Sequence, residues 1–210
     1  MEIPDQTGIF TPRVEDVSRP RYVDGGMFSA KELLETTRSA QREIEILAPE
    51  IDHGADIWRV AKAASELDLN SSYMYLLFAR DFAHTCRIAV IDGEVAGFVL
   101  AYRRTEDPSC LFVWQVAVDV AYRGEGLARR MLNDLVVSSV FDETPVRTIE
   151  TTITDDNIAS RRLFTDLAER WNTVLKTRAL FDESHFPDDH DAERLHLIGP
   201  IDPANSTGST

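Results

Sequence analysis

The sequence predicts a single mixed α/β domain, and three observations carry that prediction. Between residues 43 and 198, strand-like and helical hydrophobic periods alternate in the order β-α-α-β-β-β-α-β-α-β-β. An Asp92-Gly93 pair joins two apolar runs, which signals a tight hairpin and therefore antiparallel pairing. A turn with two glycines, Gly124 and Gly126, links an apolar strand to a long helix. The chain of 210 residues, 43% apolar and 28% charged, is long enough for one sizeable core.

Taken in order, residues 1–42 are polar and interrupted by Pro4, Pro12, Pro20 and Gly25-Gly26. They read as an N-terminal arm, partly flexible, with one helix over 28–40. EIEILA (43–48) alternates as a strand does. From Ala55 to Leu67 the apolar residues Ile57, Val60, Ala61, Ala64 and Leu67 share one helical face. Asn70, Ser71 and Ser72 offer N-caps for a second helix over 73–84. Strands follow at 86–91 and 94–103 around the Asp-Gly turn, then at 111–118. Residues 123–140 are the glycine-bearing loop and its helix, and 147–153 is a strand. Asp155 and Asp156 are expected to cap a helix reaching Arg170, with two strands near 172–180 and 193–198. The stretch 199–210, rich in Gly, Pro, Ser and Thr, reads as a flexible tail.

Charge limits the partners. With 36 acidic and 22 basic side chains the formal charge is −14, which repels nucleic acid and anionic membranes. No apolar run reaches the ~20 residues of a membrane span, and the N-terminus lacks a signal-peptide pattern. Cys86 and Cys110 sit at the edges of apolar runs and are expected to be buried, reduced thiols of a cytoplasmic protein. No CxxC and no histidine pair at helical spacing supports a metal site.

The strongest chemistry lies at 116–128, where a strand ends, a turn with two glycines follows and a helix begins. The first N–H groups of a helix lack internal partners and carry the positive end of its dipole. Glycines remove the Cβ atoms that hold a phosphate away. Such a turn binds a pyrophosphate without lysines, which suits an acidic chain. Neither GxxxxGK[ST] nor a full GxGxxG is present.

The segment Arg123-Gly124-Glu125-Gly126-Leu127-Ala128 matches the (Q/R)xxGx(G/A) signature of the GCN5-related N-acetyltransferases, in the expected strand-to-helix place. NIASRRLF (157–164) resembles the asparagine-containing helix motif of the same superfamily. LDLNSSYMYLL (67–77), HTCRIAV (84–90), LFVWQVAVD (111–119) and TTITDDNIASRRLF (151–164) resemble the L-2,4-diaminobutyrate acetyltransferases of ectoine synthesis more closely still. The resemblance spans roughly 43–181 and implies a GNAT-like, largely antiparallel sheet flanked by helices, with splayed central strands, in a domain over 43–198. It implies acetyl-CoA as cosubstrate, in the gap between the 111–118 and 147–153 strands. The backbone of Val116 and Val118 would pair with the pantetheine arm. Amides of Arg123, Gly124, Glu125, Gly126, Leu127, Ala128 and Arg129 would hold the pyrophosphate, and Asn157 would reach the CoA arm. A homodimer is usual in such enzymes. The activity implied is acetylation of the γ-amine of L-2,4-diaminobutyrate. An acetyltransferase for another small amine, or a module that only binds acetyl-CoA, stays open beside it.

Acetyl transfer needs a neutral amine, a donor for the oxyanion and a proton for the thiolate. The amide near Val116–Ala117 is the expected oxyanion donor, since a bulge there would leave it unpaired. Asp68, on the loop before Asn70-Ser71-Ser72, is the expected ammonium ligand. Of Tyr73 and Tyr75, which point to different faces, Tyr73 lies nearest the turn and is expected in the pocket, as ligand and as acid. Trp114 is expected to wall the acceptor's aliphatic chain. Glu150, an acid in a strand of apolar residues and threonines, is expected to drain the amine's proton or meet an ammonium. The resemblance implies that the loop 185–193 closes over the substrate with His190 as a ligand, and Asp188 and Glu193 nearby. Many relatives place a tyrosine seven residues after the motif asparagine to protonate the thiolate; counting from Asn157, that place holds Phe164, so a water or another hydroxyl would have to serve, with Tyr73 the nearest candidate.

Overall fold

The computed structural model describes residues 21–23, 26–28, 43–64 and 67–202. The chain divides into two units, 1–42 and 43–210. In the first, β1 (Arg21–Val23) and β2 (Gly26–Phe28) pair antiparallel, with Tyr22 opposite Met27. Phe28 therefore closes a strand, and the rest of the helix expected over 28–40 lies outside the described residues.

The second unit follows the predicted order. Its elements are β3 (Ile44–Leu47), α1 (Gly54–Ala63), α2 (Ser72–Asp81), β4 (Arg87–Ile91), β5 (Glu94–Arg103), β6 (Cys110–Val118), α3 (Leu127–Ser138), β7 (Thr148–Ile153), α4 (Ile158–Arg170), β8 (Leu175–Phe181) and β9 (Glu193–Ile198). Seven strands form one sheet in the order β3-β4-β5-β6-β7-β9-β8, antiparallel at every contact except β6–β7. The β4–β5 turn has positive φ at both Asp92 (52°) and Gly93 (84°), the geometry that the Asp-Gly pair favours.

Both faces of the central strands are covered, so β5 is apolar on both. Val95, Phe98 and Leu100 join Ile57, Val60 and Tyr75 under α1 and α2. Ala96, Val99 and Ala101 join Met131, Leu135 and Phe164 under α3 and α4. Gly199 to Ile201, expected to begin the tail, are bound to this core. Ile201 is 1% exposed and its N–H donates to the Arg147 carbonyl at 2.7 Å.

The feature that matters for function is the parallel contact. β6 and β7 pair only from Cys110–Thr148 to Phe112–Glu150. Beyond that point both strands continue without pairing each other, and a gap opens in the sheet. β6 also carries a bulge. Leu100 faces Gln115 and Ala101 faces Val113, so Trp114 is the extra residue. The bulge expected near Val116–Ala117 thus lies at Trp114, because Val116 and Ala117 keep regular partners in Val99 and Phe98.

Candidate active site

The Asp119 N–H donates to the Ala96 carbonyl at 2.8 Å. Backbone groups alternate in an antiparallel ladder, so Ala117, two residues earlier, also turns its N–H to β5. Val116 and Val118, out of phase, turn theirs into the gap. The Val118 carbonyl accepts from Arg123 Nε at 3.4 Å, which agrees with that alternation. The amides that face the gap come from the splay rather than from a bulge, and they are those of Val116 and Val118, whereas the Ala117 N–H is committed to β5.

A cavity of about 360 Å³ opens from this edge between the glycine turn and α4. Gly126 is the N-cap of α3 with φ 74°, and Gly124 has φ 88°. The first intrahelical bond runs from Arg130 N–H to the Gly126 carbonyl, so the amides of Leu127, Ala128 and Arg129 have no helical acceptor. Val116, Ala117, Val118, Arg123, Gly124, Gly126, Leu127, Ala128, Arg129 and Asn157 all line this cavity, whereas Glu125 is exposed and does not. Three amides without helical acceptors at the positive end of a twelve-residue helix fit a pyrophosphate, and a strand edge that leaves its sheet neighbour fits an amide-bearing arm. Asn157, rather than Asp155 or Asp156, caps α4: its Oδ1 accepts the Ser160 N–H at 3.0 Å.

A second cavity of about 480 Å³ lies on the other side of Val116. Asp68, Trp114, Gln115, Thr152, His190 and Glu193 line it. Leu67, Val116, Asn157 and Ser160 line both cavities, so the two meet there. His190 Nε2 lies 3.1 Å from Asp68 Oδ2 and 4.0 Å from Glu193 Oε1, and Nδ1 lies 2.7 Å from the Asp191 carbonyl. That carbonyl first, then Asp68 and Glu193, raises the His190 pKa above its ordinary value. The ring stacks on Phe186 at 4.2 Å. Burial raises the Glu193 carboxyl pKa against a hydrogen bond from Thr152 that lowers it, and its Oε2 is buried without a partner among the described residues. Trp114 walls the cavity, its ring 5.0 Å from that of Phe78.

Two expected residues lie elsewhere. Tyr73 is 66% exposed and lines neither cavity. The helix starts after the Ser71 N-cap, and its inward stripe is Tyr75, Phe78 and Ala79. Tyr75 is fully buried, its hydroxyl accepts the Asn70 N–H at 3.4 Å, and burial raises its pKa. Glu150 is buried too, but its Oε2 accepts from Arg104 Nη1 at 2.8 Å and it lines neither cavity. Its strand position opposite Phe112 is the last paired step before the gap.

Gln115 is the residue that sequence reasoning passed over. Its Nε2 donates to the Asp68 carbonyl at 2.9 Å, and its Oε1 is buried without a partner. The signal was an amide inside an apolar strand, where a polar group needs a partner.

The model of the acetyltransferase (GNAT) family matches residues 53–168. An L-2,4-diaminobutyric acid acetyltransferase from Streptomyces avermitilis is 51% identical over 160 residues, 75% of this chain and 89% of that protein. One from Chromohalobacter salexigens is 40% identical over 92% of this chain and 95% of its own length. The diaminobutyrate acetyltransferase EctA from Paenibacillus lautus, solved with L-2,4-diaminobutyric acid and coenzyme A, superposes with a TM-score of 0.72. It is 38% identical, over 76% of this chain and 96% of that one.

Proposed function

The chain belongs to the acetyltransferase (GNAT) family, and we propose that it transfers the acetyl group of acetyl-CoA to the γ-amine of L-2,4-diaminobutyrate, giving the Nγ-acetyl compound for ectoine synthesis. The observation that carries this reading is the meeting of two cavities at Val116, one edged by the first amides of a helix and the other by acids. The catalytic domain begins at Glu43 and runs through β9 to include Ile201, which packs in its core.

In this reading the Val116 N–H donates to the thioester oxygen as negative charge develops on it. The amides of Leu127, Ala128 and Arg129 take the pyrophosphate, with Gly124 and Gly126 giving it room. Glu193, whose burial shifts its basicity toward that of the amine, takes the amine's proton. Asp68 opposes the second ammonium group, and His190 lies between Asp68 and Glu193, where its positive form offsets their charge. Trp114 covers the aliphatic chain.

The acceptor end carries Asp68, Asp156, Asp189, Asp191 and Glu193, which suits a substrate with two ammonium groups. Among the described residues no helix is long and apolar enough to cross a membrane. Cys86 and Cys110 are buried free thiols, which supports a reducing cytoplasm. A homodimer is part of the same proposal.

CoA release with a panel of diamino acids tests the function. Diaminobutyrate is expected to exceed ornithine and lysine in kcat/KM. Equal rates with all three would remove the substrate assignment, and no release would remove the activity.

A further inference from the structure

Phe164, at the place where a phenol is expected, is a buried ring, and Tyr73 is turned to solvent. Neither gives the leaving sulfur a proton. We propose that the hydroxyl of Ser160 is the proton donor to the departing CoA thiolate. The proposal rests on the acetyl-transfer reading above.

Four residues line both cavities: Leu67, Val116, Asn157 and Ser160. The reacting carbon must lie where the cavities meet, so its leaving group lies there too. Leu67 and Val116 carry no side-chain proton to give. The Asn157 Oδ1 is engaged by the Ser160 N–H. Ser160 brings the one side-chain hydroxyl among these four, and that hydroxyl makes no hydrogen bond among the described residues. Ser160 precedes Phe164 by four positions, so the two share one face of α4, a turn apart. The hydroxyl thus stands a turn nearer the helix N-terminus than the ring. Its backbone is held by the Asn157 cap, which fixes where the hydroxyl stands.

The amine nitrogen bonds to the acetyl carbon and gives up a proton to Glu193, while the C=O pair moves to oxygen opposite the Val116 N–H. As C=O re-forms, the C–S bond breaks and its pair goes to sulfur. Sulfur takes the Ser160 hydroxyl proton while the Ser160 oxygen takes one from water. The proton released from Glu193 neutralises the hydroxide left behind. Amine and thioester become amide and thiol with no other reactant consumed.

Ser160→Ala keeps the amide that Asn157 caps and removes only the hydroxyl. Single-turnover acetyl transfer to diaminobutyrate is expected to slow by about 10²-fold, with the calorimetric Kd for acetyl-CoA unchanged. Ser160→Cys restores a donor, with a thiol pKa near ~8.5, and is expected to recover most of the rate. A Ser160→Ala rate within about twofold of the unmodified protein overturns the donor. So does an acetyl-CoA affinity that falls in step with the rate, or a Ser160→Cys variant no faster than Ser160→Ala. Absence of CoA release by the unmodified protein overturns the acetyl-transfer reading, and this donor with it. Release by the unmodified protein together with an unaffected Ser160→Ala overturns the donor alone.

Discussion

Asp68 and His190 stand 122 residues apart in sequence, yet Oδ2 of one lies 3.1 Å from Nε2 of the other. The contact joins the loop before α2 to the loop before β9, across the mouth of the acceptor cavity. Neither loop has a repeating period that would announce the pairing. Gln115 supports it from below by holding the Asp68 carbonyl.

Asp68→Asn keeps the shape of this contact and removes its charge. The Asp68 side chain is 86% exposed, so solvent screens its charge, and kcat/KM for diaminobutyrate is expected to fall by several-fold to about tenfold. Acetyl-CoA affinity, set on the other side of Val116, is expected to hold. Steady-state kinetics with calorimetry separates the two. If both weaken together, Asp68 supports the fold rather than the substrate.

His190 is expected to titrate above the ordinary histidine value of ~6.5, because the Asp191 carbonyl, Asp68 and Glu193 all favour its charged form. A pKa raised on folding stabilises the protein fully below the unfolded value. That contribution is lost as pH climbs through the folded value. NMR titration of the ring reads the midpoint directly. Asp68→Asn should lower it only in part, since the backbone carbonyl is the largest cause. A midpoint at or below the ordinary value would contradict the contact.

Gly126→Val acts on the other cavity. At φ 74° a branched side chain is strained, and its Cβ would stand 2.9 Å from Arg129 Nη2. The backbone strain costs about 1–3 kcal/mol. Acetyl-CoA affinity is expected to fall by about tenfold or more, as measured by calorimetry. Unchanged binding would remove the glycine turn from the site.

Tyr73→Phe and Glu150→Gln are expected to leave kcat within about twofold of the unmodified protein, since neither residue lines a cavity. Glu150→Gln should instead lower the unfolding temperature, because it breaks the pair with Arg104. A large loss of kcat in either variant would show that the site extends beyond the two cavities.

Much of the fold was legible because its signals are local. The hairpin at Asp92-Gly93 needs only two residues that tolerate positive φ. The glycine turn before α3 needs only a buried strand, Gly124 and Gly126. The site was less legible, in proportion to the distance its contacts span. Tyr73 and Tyr75 were separable only once the cap at Ser71 set the phase of the helix. Glu150 reads as a candidate base in its own strand, and only the sheet brings Arg104 to it.

By itself, then, the sequence determined the order of elements, the two φ-positive turns and the strand–glycine turn–helix junction before α3, because each depends on neighbouring residues. Tertiary structure alone decided which amide faces the gap, which tyrosine is buried and which acid meets His190. Those outcomes depend on where β6 and β7 part and on how far each loop reaches across the sheet. No local propensity encodes a distance between segments a hundred residues apart.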